Sequence, residues 1–322
     1  MSASVARDGA ERQRLVEESG RIIAQGSKSF RFASQIFDQA TRERSWLLYA
    51  WCRACDDVTD GQTLGHDAVT PENPSERIAF LRATTDTALA GQPTGLSAFD
   101  AFATVVAECG IPASLAADHL AGFARDATGW TPANEEELLS YCYQVAGAVG
   151  VMMAHVMGVP AGDRDMLAKD TLSRAADLGI AFQLANIARD IVDDAQVGRR
   201  YLPDEWLVAE GLAGVDLADP AHRPALARIA RRLATLADDY RRSSTVGAAR
   251  LPFRSRWAVN SAARIYGKVA ERAVELGERA WDRRISIPRR EKFGLVLKAL
   301  ADSLRTSRLV SRDGLWTRPS VP

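Results

Sequence analysis

The chain has 322 residues, no formal net charge and 47% hydrophobic residues, which is enough apolar material for one large domain or two ordinary ones. A neutral balance of charge argues against a nucleic-acid partner. The polar N-terminus, Met1 to Arg14, lacks the apolar centre of a signal peptide. No apolar stretch reaches the roughly 20 residues that a membrane-spanning helix needs. We therefore expect a cytoplasmic protein without a transmembrane anchor.

Apolar residues recur at helical spacing along most of the chain, as in Phe99, Phe102 and Val105 or Leu226, Ile229 and Leu233. Strand-like alternation is nearly absent, and Gly and Pro clusters separate the periodic segments. Before Glu135, residues 131–134 read as a loop that ends in a helix N-cap. The pattern predicts about ten helices in one all-α domain over residues 1–322, with flexible ends at about 1–18 and 308–322.

The first acidic segment is Asp56-Asp57-Val58-Thr59-Asp60. On a helix, Tyr49, Arg53, Asp56 and Asp60 share one stripe, and like charges at such a spacing repel one another. Carboxylates are the hard oxygen ligands that Mg²⁺ accepts together with water and phosphate oxygens. The alternative is a solvated face with an Arg53–Asp57 ion pair. For this segment alone, the two interpretations are balanced.

The second acidic segment, Asp190-Ile191-Val192-Asp193-Asp194, repeats the spacing. The stripe on its helix consists of Gln183, Asn186, Asp190 and Asp194. Apolar residues such as Leu184 and Ile187 cover much of the rest of the helix, so the stripe should face an interior. Because a buried pair of carboxylates without a cation is unfavourable, this segment favours a metal site.

Two further segments could bind the rest of a phosphorylated substrate. Residues 26–30, Gly-Ser-Lys-Ser-Phe, offer an ammonium group and two hydroxyls, and Arg53 and Arg189 beside the acidic segments can pair with phosphate oxygens. Between Tyr141 and Met153, Gly and Ala interrupt an apolar helix. These small residues fit either close helix packing or an apolar tunnel for a hydrocarbon chain.

Other chemistries have no support in the sequence. It contains no Walker loop, no G-x-G-x-x-G fingerprint and no G-x-S-x-G elbow. The four histidines lack zinc spacing. Cys52 and Cys55 fit a C-x-x-C template, but no second pair follows, so we interpret them as reduced thiols that are close by coincidence.

Taken together, these segments resemble the squalene/phytoene synthase family, and within it the bacterial phytoene-forming enzymes. The resemblance runs through residues 26–30, 49–60, 141–147, 181–194 and Gly198-Arg199-Arg200-Tyr201-Leu202-Pro203. It implies an all-α isoprenoid-synthase bundle around a central apolar cavity. It also implies a prenyltransferase of carotenoid biosynthesis that joins two geranylgeranyl diphosphates head to head, through cyclopropyl (prephytoene) diphosphate, into phytoene.

The resemblance also implies roles for individual residues. Those expected to hold Mg²⁺, or Mn²⁺ in its place, are Asp56, Asp60, Asn186, Asp190 and Asp194. Those expected to take part in catalysis are Tyr49, Arg53, Asp56, Asp60, Asp190 and Asp194. Those expected to bind the substrate are Gly26, Ser27, Lys28, Ser29, Phe30, Tyr49, Arg53, Tyr141, Val145, Val149, Gln183, Arg189 and Tyr266.

Two alternative functions remain open at this point. The same chemistry on farnesyl diphosphate would give squalene or dehydrosqualene. Squalene synthases that reduce the intermediate need NADPH. The sequence has no recognisable motif for this nucleotide, so we expect no NADPH. A non-catalytic relative in assembly or lipid binding is a weaker alternative, because both acidic segments are intact. Since substrate and product are lipids, residues 283–300, with Leu295, Val296 and Leu300, could also dock peripherally on the inner membrane surface. The alternative, which we favour, is a C-terminal helix that faces the core and has solvated arginines.

Overall fold

Helices form the secondary structure of the computed structural model, which describes residues 2–26, 31, 33–61, 73–162, 165–305 and 309–319, with side chains from residue 9 onward. No strand occurs within these ranges, which confirms the predicted all-α class. The described part contains twelve α-helices, one π-helical segment and two short 3₁₀ segments, against about ten helices predicted. Among these helices, none is both long and apolar enough to cross a membrane.

The chain divides into two compact units. The first unit is Met1–Thr128 with Met152–Ala168, and the second is Gly129–Val151 with Lys169–Pro322. The single domain expected from the sequence stays a prediction. The helices in chain order are α1 (Ser2–Gly26), α2 (Gln39–Thr59), α3 (Pro74–Leu89), α4 (Ser97–Cys109), α5 (Ala113–Ala127), α6 (Glu135–Cys142), α7 (Ala148–Val156), α8 (Met166–Gln196), α9 (Asp204–Ala209), α10 (Arg223–Ala248), α11 (Phe253–Leu276) and α12 (Arg289–Ser303).

The first unit is built around an aromatic core. Trp51 of α2 stacks on Phe102 of α4 with ring centroids 3.9 Å apart, and His119 of α5 lies against the same indole at 5.4 Å. Asp38 caps α2 by accepting a hydrogen bond from the Thr41 amide. These contacts fix α2, the helix that carries the first acidic segment, within its unit.

In the second unit, the predicted N-cap before Glu135 is confirmed. Asn134 accepts a hydrogen bond from the Glu137 amide, and the Glu137 carboxylate accepts one from the Ala133 amide, so one free donor of the helix end and the amide just before the N-cap are both satisfied. The helix that follows changes pitch at Tyr143–Gly147, which is π-helical, before it continues as α7. Wider turns of this kind are frequent at functional sites.

Glycines let the backbone of α8 approach this π-helical region closely. A Cβ atom on Gly179 would lie 2.7 Å from Gly147 Cα and closer still to the Ala146 carbonyl oxygen. A Cβ atom on Gly150 would collide with the Ala175 carbonyl. Of the two interpretations of the Gly- and Ala-rich segment, close helix packing therefore explains Gly147 and Gly150.

The C-terminal segment is joined to α8 by a buried ion pair. Asp177 is fully buried and accepts hydrogen bonds from Arg312 Nε at 2.7 Å, Arg312 Nη2 at 2.8 Å and the Ser243 hydroxyl at 2.6 Å. The Trp316 amide donates to the Tyr240 hydroxyl at 2.9 Å. Residues 309–319 are thus anchored by Arg312 and Trp316. The flexibility expected for the chain ends stays a prediction.

We expect Gly179→Ala to lower the free energy of unfolding by about 3 kcal/mol, because the new methyl group meets backbone that cannot move aside. Thermal or urea denaturation measures the change. Gly294→Ala in α12 is the matched control, since a Cβ atom there meets nothing within 4 Å and Ala favours a helix. If Gly179→Ala and Gly294→Ala were equally stable, this would contradict the close approach of α8 to the π-helical segment.

Arg312→Met should lower the free energy of unfolding by about 3–5 kcal/mol, because it leaves the buried Asp177 carboxylate without its counter-ion. The same substitution at the exposed Arg305 should change stability by less than about 0.5 kcal/mol. Adding Asp177→Asn to Arg312→Met should recover part of the loss, because it removes the uncompensated charge. A negligible effect of Arg312→Met in urea denaturation would show that the anchor does not form.

Candidate active site

The first acidic segment lies at the C-terminal end of α2, where charges are already paired. Arg53 contacts Asp57 at 2.6 Å and Asp56 at 3.3 Å, so the predicted Arg53–Asp57 pair is present. Although burial opposes it, the charges of Asp57 and Asp56 raise the pKa of Arg53 above its ordinary value. The guanidinium therefore stays charged and offsets the repulsion between neighbouring carboxylates.

Asp60 lies one residue beyond the end of α2, not inside the helix as the spacing suggested. Its amide still donates to the Asp56 carbonyl at 2.9 Å, so Asp60 remains one turn from Asp56. Arg77 of α3 donates to the Thr59 carbonyl at 3.1 Å and so satisfies an orphan acceptor at the helix end. Sequence reasoning missed Arg77, because nothing local links it to α2.

Tyr49 extends the acidic stripe toward the end of α1. Burial is the main cause that raises the pKa of Tyr49, so the phenol remains protonated. A Cβ atom on Gly26 would lie 2.5 Å from the Tyr49 hydroxyl, so Gly26 leaves room for that group. The other predicted members of this region, Ser27, Lys28, Ser29 and Phe30, lie outside the described residues.

The second acidic stripe belongs to α8, whose other faces are packed. Ile180, Leu184, Ile187 and Ile191 are all at most 4% exposed, as the apolar pattern predicted. On the polar face, the Asn186 amide nitrogen lies 3.5 Å from the Gln183 side-chain oxygen. The apolar side of α8 therefore packs in the core. The polar side carries the side-chain oxygens of Gln183 and Asn186 on the same face as Asp190 and Asp194.

Arg189 and the two aspartates form the charged centre of this stripe. The Arg189 guanidinium donates two hydrogen bonds to the Asp190 carboxylate, one of them 2.7 Å long from Nε. These hydrogen bonds raise the pKa of Arg189. Burial, followed by the charge of Asp190, raises the pKa of Asp194 to about 6, and Arg199 opposes this shift. Arg189 offsets the charge of one carboxylate and leaves that of Asp194 poorly compensated.

Tyr266 of α11 lies beside the same stripe. Its ring stacks on Phe182 of α8, with centroids 4.1 Å apart. Burial raises the pKa of Tyr266, and the nearby charge of Arg189 partly opposes that rise. The structure thus brings Tyr266, Arg189 and Asp190 together in one part of the second unit.

A cleft of about 750 Å³ in the second unit borders the Phe182–Tyr266 pair. Its lining includes small residues, among them Ala181, Ala185 and Ala263, and charged residues of α10 and α11. Its lining includes none of Tyr141, Val145 and Val149. These three predicted substrate contacts lie instead around the π-helical segment, where Tyr141 is buried and stacks on Tyr201 at 5.0 Å, and Val145 and Val149 are partly exposed.

The donor set of the α8 stripe suits Mg²⁺. No three His, Cys, Asp or Glu side chains converge within the part of the chain that the structure describes. Mg²⁺, however, is usually held by one or two carboxylates, water and substrate phosphates, and a cation would relieve the raised pKa of Asp194. The C-x-x-C pair is no competing ligand, since burial raises the pKa of Cys52 to about 12.

The architecture is that of an isoprenoid synthase: all-helical, with acidic stripes on two long helices. A dehydrosqualene synthase solved with a ligand superposes with a TM-score of 0.78 at 25% identity, over 91% of this chain and 97% of that one. The squalene synthase HpnC from Alicyclobacillus acidocaldarius superposes with a TM-score of 0.71 at 21% identity, over 83% and 96% of the two chains. These structures have the same fold.

Comparison with known sequences identifies the family within the isoprenoid synthases to which the chain belongs. The model of the squalene/phytoene synthase family matches residues 23–291. The 15-cis-phytoene synthase of Pantoea ananas is 46% identical over 95% of this chain and 98% of its own, and that of Paracoccus sp. is 42% identical over the same shares. The chain belongs to the squalene/phytoene synthase family.

We expect Asp194→Asn to raise the melting temperature in metal-free buffer by a few degrees, because it removes a poorly compensated carboxylate beside Asp190. The gain should be about 1–2 kcal/mol after solvent screening. The same variant should lose the stabilisation that Mg²⁺ with inorganic diphosphate gives the wild type.

Asp193→Asn is the control, because Asp193 is an exposed carboxylate on the same helix turn. It should leave both the metal-free melting temperature and the response to Mg²⁺ and diphosphate unchanged. If Asp193→Asn and Asp194→Asn behave alike in differential scanning fluorimetry, the α8 stripe is not the metal-binding face.

Proposed function

We propose that this protein condenses two molecules of geranylgeranyl diphosphate into phytoene, the first committed hydrocarbon of carotenoid biosynthesis. The observation that carries the proposal is the 42–46% identity to phytoene synthases over nearly the whole chain. The acidic stripes of α2 and α8, with their arginines, supply the functional groups that such a reaction requires.

Asp190, Asp194 and Asn186 are proposed to hold Mg²⁺ in the second unit, and Asp56 and Asp60 are proposed to do so in the first. Members of the family act on prenyl diphosphates and generally depend on a divalent metal. When bound, Mg²⁺ neutralises a diphosphate leaving group and so allows an allylic C–O bond to ionise. Mn²⁺ has similar oxygen preferences and is the expected substitute.

The arginines and tyrosines of the site act on the diphosphate directly. Arg189 carries a charge that its pairing with Asp190 preserves, and its planar fork can bind phosphate oxygens in two places. Arg53 can do the same beside Asp56. Tyr49 and Tyr266 stay protonated because burial raises the pKa of each, so each hydroxyl can donate a hydrogen bond to an anionic oxygen.

The reaction balances without a reductant. In the first half, the C–O bond of one substrate breaks, its C1 carbon forms two new C–C bonds to the two alkene carbons of the other substrate, and diphosphate and a proton leave to give the cyclopropyl diphosphate. In the second half, the remaining C–O bond breaks, the ring rearranges, and loss of a proton forms the central double bond of phytoene. Two diphosphates are released in all. No NADPH enters this balance.

Apolar and aromatic walls protect the carbocations of both halves from water. Phe182 and the ring of Tyr266 form such a surface beside the charged centre. Val145 and Val149 are proposed to contact the prenyl chain, because their partly exposed side chains follow one another by about one turn. The C15 reaction is not favoured, since identity to the solved dehydrosqualene synthase is only 25%.

The test is incubation of the purified protein with geranylgeranyl diphosphate or farnesyl diphosphate, with Mg²⁺ and without NADPH, followed by extraction and chromatography of hydrocarbons. We expect a C40 product from geranylgeranyl diphosphate that EDTA abolishes. Asp190→Ala should lower its rate by at least about 10²-fold, because charge stabilisation of the leaving group is lost.

Asp193→Ala serves as the control and should retain the wild-type rate within about twofold. If farnesyl diphosphate gave a C30 hydrocarbon and geranylgeranyl diphosphate gave none, the proposed mechanism would stand, but the proposed C20 substrate would be wrong. Absence of hydrocarbon from both substrates would overturn the proposed activity and favour a non-catalytic role.

A further inference from the structure

A buried indole contacts α8 on the side opposite its acidic stripe. Trp281 is 8% exposed, and its Nε1 donates a hydrogen bond to the Ala188 carbonyl oxygen at 3.3 Å. At about 100° per residue, Ala188 lies about 160° around the helix from Asp190. A helical carbonyl oxygen accepts one hydrogen bond from the amide four residues on, and its second lone pair is open to a side-chain donor. Trp281 therefore contacts the backbone of α8 one residue before Arg189.

The segment that carries Trp281 is fixed on both sides of the indole. Just past α11, Gly277 has a φ of +56°, which lies in the left-handed region that favours glycine. The 3₁₀ turn that begins there ends at Trp281. Arg223, the first residue of α10, donates to the Glu278 carbonyl at 3.2 Å and pairs with the Asp282 carboxylate. These contacts hold the turn, so the indole N–H is directed to one carbonyl group of α8.

A second point of support for α8 matters because its closest backbone contact lies far along the helix axis. Gly179 precedes Ala188 by about 14 Å at a rise of 1.5 Å per residue, and helices of this length are rarely straight. Mg²⁺ requires near-ideal octahedral geometry, so a small rotation of α8 would displace Asp190 and Asp194 from the positions that a cation needs. The hydrogen bond from Trp281 opposes such a rotation close to the charged centre.

We propose that Trp281 is a positioning residue, whose N–H fixes the rotation of α8 so that the α8 stripe can bind Mg²⁺ together with diphosphate. The proposal rests on the function given above, which assigns this stripe to the metal and the leaving group. Removal of groups that orient metal ligands from outside the metal site typically lowers metal affinity or activity about 10- to 100-fold. If Trp281 only filled space, an apolar ring in its place would leave metal affinity unchanged.

Two substitutions separate the hydrogen bond from the packing. Trp281→Phe keeps an aromatic ring but removes the N–H donor. In Trp281→His, Nε2 takes the ring position of the indole Nε1, so a neutral imidazole keeps a donor while much of the buried apolar surface is lost. Packing therefore ranks Trp281→Phe above Trp281→His in stability, whereas positioning ranks Trp281→His above Trp281→Phe in metal binding. The two roles predict opposite orders for the same pair of variants.

The test measures stability, binding and turnover separately. In metal-free buffer at about pH 8, where imidazole is neutral, Trp281→His should unfold at a lower urea concentration than Trp281→Phe. Calorimetric titration with magnesium diphosphate should show about tenfold weaker binding for Trp281→Phe, and less than about threefold weaker binding for Trp281→His. The kcat for hydrocarbon formation from geranylgeranyl diphosphate should follow the order of binding and not the order of stability.

Trp257 provides the matched control. Its Nε1 also donates to a backbone carbonyl, that of Val296 at 3.0 Å, but this carbonyl belongs to α12 and not to α8. Trp257→Phe and Trp257→His should therefore bind magnesium diphosphate within about twofold of the wild type, since separate sites rarely couple. If Trp281→His does not fold, the comparison of Trp281→Phe with Trp257→Phe carries the test.

The outcomes distinguish the role of Trp281 from the proposed activity. Wild-type binding of magnesium diphosphate by Trp281→Phe, or weaker binding by Trp281→His than by Trp281→Phe, would overturn the positioning role. Equal losses in the Trp257 variants would do the same. In these cases, hydrocarbon formation by the wild type would leave the proposed function intact. The expected order of binding in a protein that forms no hydrocarbon would support the positioning role while the proposed function fails.

Discussion

The second unit depends on the close contact between the π-helical segment and α8. Because Gly147, Gly150 and Gly179 have no side chains, carbonyl groups of one helix meet the backbone of the other directly. Within this unit, the contact sets the position of α8 against residues 143–151. The residues proposed for metal and phosphate binding occupy α8, and those proposed for the prenyl chain lie on the π-helical side. The glycines thereby fix both groups within one unit.

Charge pairing on α8 explains how a helix can carry two carboxylates one turn apart in a half-buried setting. Arg189 holds Asp190 through two hydrogen bonds, so that part of the stripe is neutral without metal. At Asp194, burial together with the charge of Asp190 raises the pKa to about 6, although the charges of Arg199 and Arg189 oppose the rise. Such unfavourable electrostatics are retained where a ligand supplies the missing charge. The asymmetry between the two aspartates therefore favours cation binding over a purely structural ion pair.

Features with a local cause could be predicted from the sequence. The helical class, the Asn134 cap and the buried apolar face of α8 follow from periodicity and capping chemistry, which act over a few residues. Asp60 and the small residues of 141–153 were only partly predictable: the end of α2 and the neighbour of Gly150 depend on tertiary packing. Arg77 was missed because its target, the Thr59 carbonyl, is a backbone group with no signature in the sequence. For α12, the sequence favoured a helix that faces the core, and the burial of Val296 and Ala299 confirms this.

The Asp177–Arg312 pair shows why such long-range contacts matter for the site. A buried ion pair adds little net stability, because desolvation of both charges offsets their attraction. Its value lies in specificity: Asp177 accepts hydrogen bonds from Arg312 and from Ser243 of α10, so only one register of α8, α10 and the C-terminal segment satisfies it. Asp177 lies two residues before Gly179, the point of closest backbone contact. The same pair that anchors residues 309–319 therefore also fixes α8 where its glycine must meet the π-helical segment, and a one-residue slip of α8 would lose both contacts at once.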